Sequence, residues 1–346
     1  MKNLTKILAL VMALCMVFAL AACGSKTEAP AEAPAAEAPA AEAPAEEPAA
    51  EGGADLTGKT IGYVTITSTA PWGGLVGTEF ERIAKEKGAT VRVLDAQTDV
   101  AKIAEYCQQM IDAGVDALAV FGGDPNANAE IAKAADEAGV PMFMCALDVA
   151  EAGRQYVKAC VGPDQEQMCY DIGQYIIKEN GADSGMKVVQ ISGVPFLDDY
   201  IQREAGFARA MAECNYEVLP ADYAYSSRTD AKAFMENHIT AEGDTIDIVM
   251  GYDDDLTMGA VAAIDEAGLT GSIKVYSLTG QNDAIQAVAD GKMELTVMNR
   301  AGDIAEETVN AIIEYLSTGS TEYYHYTPLT FIDKDNVQDF IGKGEF

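Results

Sequence analysis

The sequence predicts an α/β protein of two lobes, each a parallel sheet covered by helices. Three observations carry this. Short β-type apolar runs alternate with helical patterns from Lys59 onward. Glycines close successive helices where a left-handed residue is commonly needed. The folded part runs from about Asp55 to Phe346, too long for most single cores and suited to two.

The first four strands read Ile61–Ile66, Val91–Leu94, Ala117–Phe121 and Met142–Ala146. They are near-continuous apolar runs, as strands covered on both faces should be. Between them Val76, Phe80 and Ile83 recur at helical spacing, as do Ile103, Cys107, Met110 and Ile111. Gly88, Gly114 and Gly139 end the helices of this first unit, which closes near Val161. A second series places strands at Lys187–Ile191, Tyr216–Leu219, Ile246–Met250 and Ile273–Leu278, with helices starting near Gln165, Asp199, Thr229 and Asp254. A helix at Asn282–Ala289 and a strand at Leu295–Met298 follow. Next comes a long amphipathic helix carrying Ile304, Thr308, Ala311, Ile312 and Tyr315, and Leu329–Ile332 is the last strand. Two such sheets leave a cleft between them. Ligands of open parallel sheets sit outside the carboxyl ends of the strands, so the loops there are where chemistry is expected.

The N-terminus reads as an export signal. Lys2 and Lys6 precede an apolar run from Ile7 to Ala21, short of the ~20 residues of a comfortable bilayer span and ending in small residues. Leu20-Ala21-Ala22-Cys23 resembles the lipobox of bacterial lipoproteins. That resemblance implies cleavage after residue 22, diacylglycerol on Cys23 and a membrane anchor. Residues 23–54 are Ala, Pro and Glu in near-repeats. They lack the apolar side chains that would offset ordering, so an extended, stiff spacer is expected. Such an arrangement suits a cell with a single membrane, where an unanchored exported protein would diffuse away.

Composition excludes several classes. A formal net charge of −32 argues against nucleic acid as a partner. The folded part holds Cys107, Cys145, Cys160, Cys169 and Cys214 at irregular spacing without a CxxC, and His238 and His325 are the only histidines. No metal and no cofactor is expected. Unpaired cysteines in an exported chain suggest an anaerobic habitat, with a disulfide left open. In Trp72 to Gly77 tryptophan stands where a dinucleotide fingerprint has its first glycine. No nucleophile elbow, HExxH or Walker lysine appears, so catalysis is not expected.

From Lys59 to the C-terminus the chain resembles the ribose/galactose-type (type I) periplasmic binding proteins. The resemblance rests on features matched in order. They are Pro71-Trp72 after the opening strand, Gly114-Val115-Asp116-Ala117-Leu118, Gly139-Val140-Pro141 and Arg203-Glu204-Ala205-Gly206-Phe207. Asp253-Asp254-Asp255 leading to Met258-Gly259-Ala260, and Ala289-Asp290-Gly291-Lys292, complete the series. It implies two Rossmann-like lobes joined by a three-crossing hinge near Val161, Arg300 and Pro328. One lobe would hold residues 55–161 with 300–327, the other 162–299 with 328–346.

The resemblance also implies a function, the capture of a small molecule between closing lobes. Trp72 would stack on the C–H face of a sugar ring. Asp148, Asp253 and Asn299 would take hydroxyls, and Arg203 or Arg228 would supply donors. The chain departs from the family pattern in three places. Thr279 stands where an acidic residue is usual, Arg228 where an aromatic is frequent after Tyr223, and Asp148 lies farther from Pro141 than usual. The hexose and pentose pattern is therefore half present, and a modified sugar, polyol, nucleoside or autoinducer-like molecule remains open. An exported, lipid-anchored monomer on the outer face of the cytoplasmic membrane, serving an ABC importer's permease, is the expectation. The alternative is a sensor component presenting its ligand to a membrane receptor. The two-lobed fold also serves DNA-binding repressors, a use that the export signal and the lack of a basic helix-turn-helix exclude.

Overall fold

The computed structural model describes residues 55–345 apart from 70, 196 and 226. The expected signal, Cys23 and the spacer lie outside the described residues.

Twelve strands form two six-stranded sheets among the described residues. In chain order the first unit is β1 (Thr60–Thr65), α1 (Pro71–Glu86), β2 (Thr90–Asp95), α2 (Val100–Asp112), β3 (Ala117–Phe121), α3 (Pro125–Glu137), β4 (Met142–Cys145) and β5 (Val157–Gly162). The second is α4 (Gln165–Asn180), β6 (Lys187–Ser192), α5 (Asp198–Met211), β7 (Glu217–Tyr223), α6 (Arg228–Glu242), β8 (Ile248–Gly251), α7 (Asp254–Glu266), β9 (Lys274–Tyr276), α8 (Asn282–Ala289) and β10 (Leu295–Asn299). α9 (Ala301–Thr318), β11 (Tyr324–Tyr326) and β12 (Leu329–Asp333) complete the chain.

The first sheet runs β11-β5-β4-β3-β1-β2 and the second β12-β10-β9-β8-β6-β7. All pairings are parallel except β10 with β12. Side-chain alternation along the first sheet sorts its core into two layers. Ile61, Tyr63, Ala119 and Phe143 meet α1 and α9 through Val76, Phe80, Ile304 and Ile312. Val64, Leu118, Val120 and Met144 meet α2 and α3 through Ile103, Met110 and Ile131. The second sheet carries one core of its own, centred on Val189, Ile191, Val249, Met250 and Phe207. The two α/β sheets expected from the alternating pattern are thus present.

The chain passes from the first sheet to the second between β5 and β6. It returns after β10, when α9 packs on the first sheet's core. It passes again between β11 and β12.

The strand readings need correction at four strands. Val91–Leu94 is not covered on both faces, because β2 is an edge strand and Arg92 and Val93 face solvent. β5 and β11 were not among the expected strands. The polar Tyr324-His325-Tyr326 has no apolar run to signal it and exists because it pairs with Cys160 to Gly162. β9 spans Lys274–Tyr276 rather than the whole of Ile273–Leu278.

Among the described residues no helix is long and apolar enough to cross a membrane. Cys107, Cys145, Cys160, Cys169 and Cys214 are all free thiols. Burial pushes the Cys107, Cys145 and Cys169 thiols up to about 12, which leaves them inert at neutral pH.

Candidate functional site

A cavity of about 170 Å³ lies where the carboxyl ends of the two sheets' strands face each other. Trp72, Phe121 and Ala146 come to it from the first sheet's side, and Arg203, Asp253, Thr279 and Asn299 from the second's.

Trp72 is the second residue of α1, in its first helical turn, and not in the loop that Pro71 before it and Gly73-Gly74 after it predict. The helix opens at Pro71, where a missing N–H costs nothing. Gly73 permits the helix to come close, since a β-carbon there would stand 2.7 Å from the Phe121 ring. The Trp72 and Phe121 rings lie 5.9 Å apart at 50°. Partly buried, Trp72 packs on the lobe core with one part and lines the cavity with another. Its indole N–H donates to the Asn299 carbonyl at 3.3 Å.

Arg203, in the second turn of α5, is 5% exposed, so its charge must be compensated. Nε donates to Gln165 Oε1 at 2.8 Å and one terminal nitrogen to the Tyr252 carbonyl at 2.9 Å. The other lies 3.7 Å from Asp199 Oδ2, and the guanidinium stands 5.2 Å from the Tyr200 ring centre. Most of this arginine's donors are therefore spent on holding α4, α5 and β8 together. Asp199 Oδ1 is left buried without a hydrogen-bond partner and lines the cavity.

Asp253 has two roles. It caps α7, accepting from the Asp255 N–H at 2.8 Å, and it lines the cavity. Burial pushes its carboxyl up to about 6, against the opposing pull of Arg203. Behind it Asp254 is fully buried. Its carboxylate accepts from Thr296 Oγ1 and from the Gln281 N–H, each at 2.9 Å, and burial pushes its pKa up to about 7.

Thr279 follows β9 with φ of +118°, a sparsely populated region for a β-branched residue and one found mainly at functional sites. The position is locked by its N–H donating to the Val297 carbonyl at 2.8 Å and by the Asp254 N–H reaching Thr279 Oγ1 at 3.4 Å. Asn299, at the end of β10, is 2% exposed, and its Oδ1 has no protein partner. A buried amide oxygen left open costs free energy unless something else satisfies it, so it is a ready acceptor for a ligand.

Two expected site residues stand elsewhere. Asp148 lines a neighbouring cavity of about 450 Å³. It accepts from Tyr323 at 2.6 Å, Tyr324 at 3.0 Å and the Val149 N–H at 2.7 Å, and pairs with Arg154 at 2.9 Å. Arg228 lines neither cavity. It opens α6 and pairs with Asp255 at 2.6 Å and Asp283 at 2.8 Å on the surface. The two histidines are also elsewhere, His238 against Asp222 and His325 against Glu307. Sequence reasoning passed over Ala146, Gln165, Asp199, Tyr200 and Gln281. Ala146 and Gln281 follow strand ends, which was a usable signal. Asp199 and Gln165 sit in first turns of helices, where acidic and amide residues are common for other reasons.

A family model for the periplasmic binding protein domain matches residues 61–320. The ribose import binding protein of Bacillus subtilis is 29% identical over 73% of this chain and 81% of its own length. The fructose import binding protein of Bifidobacterium longum is 25% identical over 93% and 92%. A solved periplasmic ribose ABC transporter structure from Conexibacter woesei superposes with a TM-score of 0.77 at 21% identity, covering 84% of this chain and 97% of that one. A galactofuranose binding protein gives 0.75 at 24%, covering 83% and 98%. With two mostly parallel-sheet lobes facing each other across a tryptophan-lined cavity, and a family model spanning most of its folded length, the chain belongs to the periplasmic binding protein family.

Proposed function

We propose that this protein is the extracellular solute-binding component of an ABC importer, capturing a sugar or sugar-like molecule and delivering it to a membrane permease. The reading is carried by one observation. Trp72, Arg203, Asp253, Thr279 and Asn299 come from five separate elements on both sheets, yet line one cavity. An aromatic face beside carboxylate and amide groups is what a sugar requires, since its C–H face needs apolar cover and its rim needs hydrogen bonds. In this role Trp72 covers the ring, Asp253 and Asn299 accept from hydroxyls, Thr279 contributes its hydroxyl, and Arg203 holds the carboxylates in place.

The lobes comprise residues 55–161 with 300–327, and 162–299 with 328–346. They close about the crossings near Val161, Arg300 and Pro328, and ligand favours the closed state because only there do both lobes touch it. The protein acts as a monomer without catalysis, held at the outer face of the membrane by a lipid on Cys23 and spaced from it by residues 23–54. Names of relatives support the ligand class, since they are import binding proteins for ribose and for fructose.

The test uses the single tryptophan. The lipid-free protein is titrated with sugars, polyols and nucleosides while Trp72 emission is followed. A saturable change lost in Asn299→Ala supports the reading. Binding detected by calorimetry that leaves the emission untouched removes Trp72 from the site. Binding of nothing in the panel removes the sugar-binding function.

A further inference from the structure

The Trp72 cavity does not end at Ala146. Ala146, Leu147, Gln165 and Asp199 also line the 450 Å³ cavity, so the two are adjacent and share these residues as their border. At that border Ala146 takes a φ of +67°, unusual for alanine.

The larger compartment has a wall of its own. Tyr324 and Tyr326 alternate on β11 and so project to one side. Their rings stack at 5.4 Å and 8°. Asp148 fixes this wall, because the Tyr324 hydroxyl donates to its Oδ2 at 3.0 Å and the Tyr323 hydroxyl to its Oδ1 at 2.6 Å. Arg154 closes the assembly, 2.9 Å from Asp148 and 5.8 Å from the Tyr324 ring centre. With its carboxylate so occupied, Asp148 has little left for a ligand and acts as a positioning residue for the tyrosines. Tyr326, at the open end of the stack, is 57% exposed. The same cavity is lined from the second lobe by Asp164, which caps α4, and by Asp198 and Gln202, the Gln202 amide donating to the Asp198 carboxylate. An exposed aromatic face lining one cavity with carboxylate and amide groups repeats the chemistry of the Trp72 cavity in a roomier form.

We propose that this compartment is a second subsite, and that the ligand is a two-ring glycoside whose first ring lies against Trp72 and whose second lies against Tyr326. Asp198 and Gln202 take the hydroxyls of the second ring. The inference rests on the sugar-binding reading and narrows its ligand class from a lone monosaccharide to a disaccharide or comparable glycoside.

The experiment is calorimetry on the lipid-free protein with D-galactose, D-glucose and D-fructose against melibiose, lactose, sucrose and cellobiose. At least one disaccharide should bind about tenfold or more tighter than its constituent monosaccharides, a gain of ~1.4 kcal/mol. Tyr326→Ala should erase that advantage and Tyr326→Phe should keep it. Thermal melting of both variants controls for folding, to which an exposed edge residue contributes little. A monosaccharide binding as tightly as every disaccharide, or an advantage that survives Tyr326→Ala, overturns the second subsite and leaves the sugar-binding reading standing. Binding of no carbohydrate at all overturns both.

Discussion

The indole N–H of Trp72 donates to the main-chain carbonyl of Asn299 across 3.3 Å, joining the first turn of α1 to the end of β10. The bond spans the two lobes at the wall of the cavity. Trp72→Phe keeps a ring for stacking and removes the donor, whereas Trp72→Ala removes both. A neutral hydrogen bond contributes about 1 kcal/mol net, so Trp72→Phe should weaken sugar binding by about fivefold or less. Trp72→Ala should weaken it by at least ~tenfold, since ring stacking is lost as well. Calorimetric affinities for the two variants check this. Equal losses would show that the bond, and not the ring, is what the ligand needs.

Arg203 is a different kind of site residue. Its donors are committed to Gln165, Tyr252 and Asp199, and a lysine cannot reproduce a fork of fixed geometry. Removing one partner of a buried ionic network costs about 3–5 kcal/mol. Arg203→Ala should lower the unfolding free energy read from urea denaturation by an amount of that order, and Arg203→Lys should recover little of it. A variant as stable as the parent would mean that the arginine serves the ligand alone.

Arg228 supplies the contrast. It lies outside both cavities and its pairs with Asp255 and Asp283 are solvent-exposed. Such pairs contribute about 0–1 kcal/mol. Arg228→Ala should leave sugar affinity within about twofold of the parent's and shift stability by no more than about 1 kcal/mol. A large loss of affinity would show that lobe closure brings this arginine to the ligand.

The two-lobed fold was legible because β3, β4 and β8 are unbroken apolar runs separated by helical periodicity and glycine stops. Tyr324 to Tyr326 was not legible. Its strand character comes from pairing with β5, and no local pattern announces a partner that lies 164 residues earlier, as Tyr324 pairs with Cys160. Of the residues brought to the Trp72 cavity, Thr279 and Asn299 follow or end strands, whereas Trp72 and Arg203 sit on helices. Asp148 also follows a strand, yet its carboxylate meets Arg154 and two tyrosines instead. Which neighbours satisfy a carboxylate is a tertiary property, and position after a strand does not specify it.

Asp254 gives the protein a pH dependence with a defined sign. Burial raises its folded-state pKa from 3.8 to about 7. A carboxyl raised on folding contributes stability that is fully present below its unfolded value and lost as pH climbs through the folded one. The window here is about pH 4 to about pH 7, and the span amounts to roughly 4 kcal/mol. Asp254→Asn keeps an acceptor for the Gln281 N–H but cannot ionise. The melting temperature of the variant relative to the parent should therefore be more favourable at about pH 7.5 than at about pH 4.5. Parallel stability profiles for the two proteins across that window would place the titration elsewhere.

Glu345 closes the chain against the same region. Its carboxylate, 6% exposed, accepts from the Ala301 N–H at 2.8 Å and lies 3.7 Å from Arg300. The start of α9 has no side-chain cap of its own, so the tail supplies one. The tail is held in turn by Asn282, whose Oδ1 accepts from the Gly344 N–H at 3.0 Å, and by the Gly280 carbonyl, which accepts from the Glu345 N–H at 3.3 Å. Glu345 thus ties the turn that carries Thr279 to the crossing at Arg300. Glu345→Ala should cost about 1 kcal/mol, the usual worth of a helix cap, and should weaken ligand binding through the loosened turn. Glu345→Gln, which keeps the acceptor, should lose less on both counts. Urea denaturation and calorimetry on the two variants measure the pair of effects. A loss of stability without any loss of affinity would confine the tail to capping α9 and separate it from the site.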